Sequence, residues 1–349
     1  MNHLQVPHSK FEAPTQSGGR VVENTSDANL ARLGGRDAAS IPLPKGVNIK
    51  RVYISYVISL VAFHLLALLI FVPWFFSWAG VASLVVGTYL FGAVGIPICY
   101  HRLLTHRSFK TPKWFEHVLT TLALCNGQET PIRWVAWHRL HHNESDHQED
   151  PHSPLVNFFW SHFQWLVYEN KGTDKFVLYK KYARDLLEDR YYMWLEKRAY
   201  AGVAIFIGHG ILIYLVSWLV FGAIYGFGAE AFRLATSVFI WGVIARVVWV
   251  WHITWSVNSL SHMFGYRNHD TDDHSRNNWF VALLTSGEGW HNNHHADQSA
   301  ATVQHRWWEI DLNYYIIKSW SWVGLASNIV PPMHVRRAQR DKRKLKDKS

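Results

Sequence analysis

Long runs of uncharged residues divide the chain into segments that can cross a membrane. Residues 52–100 form 49 consecutive positions without Asp, Glu, Lys or Arg, whereas one helical crossing needs about 20 apolar residues. The run is interrupted around residues 73–80, so it predicts two spans, 52–72 and 79–99, joined by a tight hairpin. A buried hairpin of a soluble protein is the alternative, but it requires a protein large enough to hide the whole run.

A second apolar region lies in the C-terminal half of the chain. Residues 199–229 carry no charge and end in a glycine-rich bend at 222–228. This pattern predicts a third span at 201–221 and a fourth at 234–254. The fourth span contains Arg246, and we expect this side chain to face the helix bundle because a central arginine costs about 2.5–3.5 kcal/mol on insertion scales.

Polar segments flank the predicted membrane domain, which covers residues 45–334. Residues 1–44 are polar and predict a disordered arm. Basic residues precede the first span and follow the second, at Lys50, Arg51, Arg102 and Arg107. By the positive-inside rule, both termini and the segment 101–198 face the cytoplasm. The tail, 335–349, holds eight basic residues and two acidic ones, which is typical of a solvated tail or of one attracted to anionic lipid or an acidic protein.

Composition changes this picture at two points. Apolar residues make up 49% of the chain and charged residues 17%, values that do not by themselves separate soluble from membrane proteins. Only two cysteines are present, which excludes a disulfide scaffold and a cysteine-based zinc module. The chain also has 22 histidines, and their placement carries the chemistry.

Nine of these histidines fall into four clusters. The clusters are His101 with His106 after the second span, His138 with His141 and His142 in the cytoplasmic segment, His262 after the fourth span, and His291 with His294 and His295. Residues i, i+3 and i+4 share one helical face, so each H-x-x-H-H cluster can converge on one point. His101 and His106 lie about 140° apart on an ideal helix, so the helix must end or deform between them.

Helix length places all four clusters at one membrane face. From residue 78 to His101 an α-helix rises about 35 Å, and from residue 233 to His262 about 44 Å, at roughly 1.5 Å per residue. Because the hydrocarbon layer is about 30 Å thick, both helices carry histidine just past the cytoplasmic surface. The nine rings can therefore meet in one layer of a helical cytoplasmic cap.

Neutral imidazole is a common ligand for Zn, Cu, Fe and Ni, and nine rings exceed the three or four that a zinc site takes from protein. Two metals in one site are the simplest interpretation. A zinc hydrolase is disfavoured because its helical motif places a glutamate between two histidines, and neither H-x-x-H-H cluster has one. The fold class predicted is an all-α integral membrane protein with four spans and a histidine-ligated di-metal site.

Five motifs stand out along the chain: HRLLTHRSF at 101–109, WHRLHH at 137–142, DPH at 150–152, NSLSHMFGYR at 258–267 and GEGWHNNHH at 287–295. They closely resemble those of the membrane fatty acyl desaturases of the Δ9 type. The segments PIRWV at 131–135, FFWSHFQW at 158–165 and RWWEIDL at 306–312 make the resemblance closest to the cyanobacterial and bacterial branch. The resemblance spans residues 50–330. It implies an O2-dependent oxidoreductase that introduces a cis double bond into a saturated acyl chain at a non-haem di-iron centre.

The resemblance also implies roles for individual residues. One iron would be held by His101, His106, His138, His142 and His294, and the other by His141, His262, His291 and His295, with Asn258 holding a bound water. Side chains expected to orient these rings are Glu144, Asp146, Asp150, His152 and Asp270. His64, His209 and His252 lie inside the spans, and we interpret them as hydrogen-bonded packing residues.

The partners implied are a fatty acyl substrate, the bilayer and an external electron donor such as a ferredoxin or a cytochrome b5-type protein, with no nucleic acid. The acyl carrier stays open between CoA, a glycerolipid and another thioester, because Ala136 and Trp137 stand where animal acyl-CoA enzymes carry an Arg–Asp pair. Two alternatives also stay open: a di-iron hydroxylase, and a metal transporter, which would place its ligands near mid-membrane.

Overall fold

Four apolar helices long enough to cross a membrane dominate the computed structural model, which describes residues 40–173, 175–198 and 200–346. They are α1 (Ile54–Phe71), α2 (Trp78–Thr105), α7 (Ala201–Tyr225) and α8 (Ala229–Met263). The prediction of four membrane-spanning helices is confirmed. The second and fourth helices are longer than predicted, because each continues past the apolar segment and carries its histidines into the cap.

The cap is built from shorter helices between and after the spans. These are α3 (Lys113–Leu124), α4 (Pro131–Glu144), α5 (Lys175–Tyr182), α6 (Arg190–Lys197), α9 (Trp279–Leu284), α10 (His291–Ala296), α11 (Leu312–Trp322) and α12 (Met333–Lys346), with single helical turns at Trp160–Gln164 and Trp165–Val167. The predicted arm, 1–44, lies almost wholly outside the described residues. The basic tail forms most of α12.

The all-α fold class is confirmed, and one short two-stranded sheet accompanies the helices. Strand β1 (Val47–Val52) pairs antiparallel with β2 (Tyr168–Asn170). β1 leads directly into α1, and β2 belongs to the segment between α2 and α7, so the start of the first span and this segment lie on the same side of the helix bundle. Sequence patterns did not predict this strand pair, because β2 has only three residues and is too short to show an alternating pattern.

Close packing holds α2 in place near its histidines. A Cβ on Gly95 would lie 2.6 Å from the Cα of Ala123 in α3, a distance that real Cβ atoms do not tolerate. Glycine therefore allows the two backbones to touch. Buried apolar side chains of α2, α3 and α4, including Ile98, Leu119 and Ile132, complete this core.

Arg246 lies in the middle of α8 and is fully buried, as its predicted position facing the bundle requires. Its guanidinium donates to Asn126 Oδ1 at 2.8 Å and to the Cys125 carbonyl at 3.0 Å, and contacts His209 Nε2 at 2.9 Å. Its Nε donates to the Gly242 carbonyl at 2.8 Å. These partners replace the water that the charge loses in the membrane, and they give His209 the packing role expected of it.

The other two histidines inside the spans also have partners. His64 Nε2 lies 3.0 Å from His252 Nε2, and His252 Nδ1 lies 3.0 Å from His162 Nε2. The three histidines thus form a hydrogen-bonded row, and the last of them, His162, contacts Ser259 through Nδ1 and Oγ at 3.0 Å. The rings therefore link α1 and α8 to the segment that precedes β2.

Candidate metal centre

Helix α4 supplies three of the histidine rings. It begins at Pro131 after Thr130, whose hydroxyl accepts from the Arg133 amide at 3.4 Å; proline at the first helical position suits this start. His138 and His142 are four residues apart, and their Nε2 atoms lie 3.0 Å from each other. His141 points from the neighbouring part of the same face and is fully buried.

The end of α2 brings His101 and His106 together by a change of helix type. Residues Thr88–Thr105 form a π-helix, in which each hydrogen bond closes over five residues rather than four. The His106 amide accordingly donates to the His101 carbonyl at 3.1 Å. Residue i+5 is thereby carried almost over residue i, and the ring centroids are 4.8 Å apart. This is a deformation of the kind that the spacing of the two residues required.

The remaining rings come from the end of α8 and from α10. His262 is the penultimate residue of α8, and its Nε2 lies 3.1 Å from His291 Nε2. His295 Nε2 lies 3.0 Å from His291 Nε2, while His294 Nε2 lies 3.0 Å from both His101 Nε2 and His142 Nε2. The short helix α10 thus contributes to two neighbouring sets of rings.

The nine histidines form two groups, and within each group one ring nitrogen from every histidine lies within 4.8 Å of those of the others. The first group contains His101, His106, His138, His142 and His294, and the second contains His141, His262, His291 and His295. The groups touch, since the His142 and His295 centroids are 4.6 Å apart. Asn258, the candidate ligand through water, lies one helical turn before His262 and lines the adjoining cavity.

Four of the rings have a carboxylate on their Nδ1 atom. His101 Nδ1 lies 2.6 Å from Glu288, His141 Nδ1 3.0 Å from Asp150, His262 Nδ1 2.7 Å from Asp146, and His295 Nδ1 2.5 Å from Asp273. A carboxylate in this position fixes the proton on Nδ1, which leaves Nε2 unprotonated and aimed into the group.

The side chains expected to orient the rings are placed unevenly. Asp146 and Asp150 contact rings, and His152 packs against His141 with centroids 4.4 Å apart. Glu144 instead accepts from the Asn143 side chain, and Asp270 is fully exposed, 3.9 Å from Arg267. Sequence reasoning missed Glu288 and Asp273.

The sequence places both missed carboxylates near residues already singled out, but it does not show which histidine each one contacts. Glu288 stands three residues before His291 yet binds His101, on a distant part of the chain. Asp273 stands three residues after Asp270 in the same acidic loop, and only the fold distinguishes the two.

Burial favours the neutral form of several rings outside the spans. Burial, and then the neighbouring imidazoles, lowers the pKa of His106, His138 and His142 well below the ordinary histidine value. Burial lowers the pKa of His295 to about 4, although Asp273 acts in the opposite direction. Burial raises the pKa of Glu288, but Arg102 and His101 outweigh it and bring the pKa to about 2.

These features fit a metal site. Neutral imidazole is the metal-binding form of histidine. The Nε2 atoms of His106 and His141 are buried and have no hydrogen-bond partner, a costly arrangement unless a ligand satisfies them. Nitrogen donors in two adjacent groups, four of them oriented by carboxylates, therefore suit two metal ions.

A cavity of about 960 Å³ leads from the rings into the membrane-spanning helices. At the end nearest the clustered histidines its wall includes His101, His138 and His291. At the opposite end the wall includes Leu84 and Val85 of α2. Between them the wall is mostly apolar. The cavity can hold a long apolar chain with one part against the histidine rings.

Comparison with known proteins agrees with this geometry. The sequence model of the family described as "Fatty acid desaturase" matches residues 76–319, a stretch that includes all nine clustered histidines. The chain belongs to the fatty acid desaturase family. The predicted resemblance is confirmed, and the protein is an oxidoreductase of acyl chains.

Individual relatives of this desaturase cover most of its length. It is 41% identical over 266 residues to the sn-1 stearoyl-lipid 9-desaturase of Anabaena variabilis, covering 76% of this chain and 89% of the relative. It is 41% identical to the sn-2 palmitoyl-lipid 9-desaturase of Nostoc sp. (strain 36), covering 77% and 88%. The acyl-CoA 5-desaturase AL21 of Anemone leveillei is 38% identical, covering 81% of each chain.

The family assignment answers the transporter alternative. The desaturase carries His101 and His262 near the ends of α2 and α8 rather than at their middle. This arrangement suits a reaction on a bound acyl chain rather than the transport of an ion across the membrane.

Proposed function

We propose that this desaturase introduces a cis double bond at the Δ9 position of a saturated acyl chain, with two iron ions held by the nine histidines. The observation that carries the proposal is the contact between the two histidine groups and the end of the apolar cavity. The 9-desaturases of Anabaena and Nostoc support the position of the bond.

Iron is the metal that suits both the ligands and the reaction. A saturated chain offers no acidic proton and no electrophilic carbon, so the reaction needs an oxidant. When bound, two iron ions supply the redox chemistry that reduces O2 to two waters while two hydrogens leave adjacent methylenes. Two electrons and two protons must enter from outside to balance this reaction.

The protein's own residues position the substrate. Gly92, Ala93 and Ile96 of α2 line the cavity before His101, and the small residues Gly92 and Ala93 let a chain pass close to the helix. The walls of the cavity fix which carbons lie beside the rings, a form of positioning that converts geometry into rate. The same apolar walls exclude bulk water from the reacting carbons.

The cavity mouth favours an uncharged acyl carrier. The charged residues that line the described cavity, histidines aside, are two cations and three acids. Arg133 is paired with Glu129 at 3.0 Å and Lys175 with Glu196 at 3.5 Å. Neither cation is left over for the phosphates of CoA, so we propose a glycerolipid-linked chain as the substrate.

Residues of α7 and α1 that line the cavity support entry of the acyl chain from the bilayer. Val203 and Ile207 of α7 line the cavity and are more than half exposed on the lipid-facing surface. Ser55 and Ser59 of α1 line it as well. A chain whose headgroup stays at the interface can therefore enter sideways, without leaving the membrane.

We place the metal centre and both termini on the cytoplasmic side. The pairing of β1 with β2 supports one side for the start of α1 and for the cap. Basic residues lie at that side, with Lys50 and Arg51 before α1 and Arg107 after α2. A cytoplasmic ferredoxin or cytochrome b5-type protein then supplies the electrons.

Expression in cells with gas chromatography of total fatty acids tests the activity. We expect a new Δ9 monounsaturated acid that is lost in His142→Ala. His305→Ala is the matched control, because His305 is exposed and belongs to neither group. An unchanged profile for the wild-type chain, with adequate iron and electron donor, would overturn the proposal.

A second assay tests the carrier. The purified enzyme is supplied with stearoyl-CoA or with a stearoyl glycerolipid in nanodiscs, under otherwise equal conditions. We expect conversion of the lipid only. Conversion of stearoyl-CoA at an equal or greater rate would show that the carrier proposal is wrong while leaving desaturation intact.

A further inference from the structure

A second opening reaches the histidines from the side of the cap. It is a cleft of about 380 Å³. Its described lining residues are Thr105, His106, Arg139, His142, Asn143, Gln298 and Ser299. Two of them belong to the first histidine group, and neither lines the acyl cavity. Substrate and cleft therefore meet different rings of the same centre.

The two histidine groups differ in exposure. All four rings of the second group are buried, whereas His106, His138 and His142 of the first group are only partly buried. The cleft accounts for the exposure of His106 and His142. An electron donor at the cap surface thus approaches the first group more closely than the second.

A basic helix begins at the rim of this cleft. Asp297 precedes the two lining residues Gln298 and Ser299, and the Ser299 hydroxyl donates to it at 3.2 Å. The same carboxylate accepts from the Met333 amide at 2.7 Å and from the Arg336 guanidinium. These bonds fix the N-terminal turn of α12 beside the opening.

Helix α12 carries seven basic residues and one acidic one. Arg337, Arg340, Lys342, Arg343 and Lys344 are exposed. A concentration of one charge steers an oppositely charged protein toward a surface and raises its association rate, in a salt-dependent way.

We propose that α12 and the cleft form the docking surface for a small acidic one-electron carrier protein. The inference rests on the proposed function, which requires two electrons from outside. Each docked carrier is oxidised by one electron, which passes by way of the His106 and His142 rings; two dockings supply the pair that ends in water. An anionic bilayer surface would also attract α12, but it would not account for an anchor at the cleft that exposes these rings.

Binding of an acidic [2Fe–2S] ferredoxin to the iron-loaded enzyme tests the proposal without turnover. The enzyme is held in phosphatidylcholine nanodiscs, and Kd is measured at low and high salt. We expect Arg337→Glu with Arg340→Glu to raise Kd at least tenfold at low salt. The difference should vanish near 0.5 M salt, where charges are screened within a few ångströms.

The control reverses the same amount of charge elsewhere on the cap. Lys110 and Lys318 are exposed and lie outside α12 and the cleft lining, so Lys110→Glu with Lys318→Glu should leave Kd within twofold. Reduction by dithionite, which needs no docking, should be equal in all three proteins and reports an intact centre.

Two results would overturn the proposal. One is an equal Kd for the wild type and the α12 variant. The other is a variant that loses binding to anionic vesicles but keeps its affinity for ferredoxin, which would make α12 a lipid contact. Because binding is measured without substrate, a failure of desaturation would leave either result readable.

Discussion

The Nδ1 atom of His101 lies 2.6 Å from a carboxylate oxygen of Glu288, and both side chains are buried. The other oxygen of Glu288 accepts from Arg102 at 2.5 Å, and Arg102 also binds Asp311 at 2.8 Å. One carboxylate therefore ties a ring of the first histidine group to the arginine next to it in α2. This contact joins the loop before α10 to the end of a membrane-spanning helix.

Replacing that carboxylate should weaken metal binding. In Glu288→Gln the amide no longer holds the proton on His101 Nδ1 as firmly, and Arg102 loses a charge partner. We expect iron affinity to fall about 10- to 100-fold, as for other outer carboxylates of metal sites. Titration of iron-free protein with Fe(II) measures the change. Asp270→Asn, at an exposed position, is the control and should leave affinity unaltered.

Gly95 offers a test of how helix packing positions the centre. In Gly95→Ala the new methyl would lie 2.6 Å from the Ala123 Cα, so α2 must move away from α3 and carry His101 with it. We expect lower thermal stability and less bound iron. Gly208→Ala is the matched control, because a methyl there meets open space. If the two variants behaved alike, the close contact would have no part in holding the site.

Arg246 should be required for stability rather than for metal binding. Arg246→Met leaves Asn126 Oδ1, the Cys125 carbonyl and His209 Nε2 without their donor. We expect a loss of about 1–3 kcal/mol, the usual cost of unpaired buried polar groups. Arg233→Met, which removes a surface ion pair with Glu230, should cost less. Unfolding midpoints in detergent compare the two; an equally stable Arg246→Met would contradict the role given to this network.

The iron-free enzyme should lose stability in mild acid. His295 has a pKa of about 4 in the folded protein, against about 6.5 in an unfolded chain. Between these values the unfolded chain binds more protons, so the stability that His295 contributes falls as the pH decreases from 6.5 toward 4 and is constant above 6.5. His106, His138 and His142 contribute with the same sign. Chelated protein should therefore melt at a lower temperature at pH 5 than at pH 7.5, and the reverse order would contradict the buried neutral rings.

The sequence predicted the four spans and the clustered histidines because both follow from local spacing. Uncharged runs need no partner to be recognised, and i, i+3, i+4 spacing defines a helix face. Only one feature of the sequence pointed to the π-helix from Thr88 to Thr105, namely that the His101–His106 spacing does not suit an ideal α-helix. Its identity as a π-helix needed the structure.

Contacts between distant segments were beyond this reasoning. Glu288 reaches His101 across 187 positions, and nothing local distinguishes Asp273, which binds His295, from the exposed Asp270. The partners of Arg246 come from the end of α3 and from α7. Such pairs depend on how the helices pack, which spacing within one segment does not determine.

The iron content of the purified enzyme tests the central claim most directly. Mass spectrometry of metals, with protein quantified on the same sample, should give two iron ions per chain for the wild type. His142→Ala and His291→Ala, one from each histidine group, should each retain fewer than two, while His305→Ala should retain both. A wild-type protein that, when active, holds a single iron, or zinc in its place, would contradict the account.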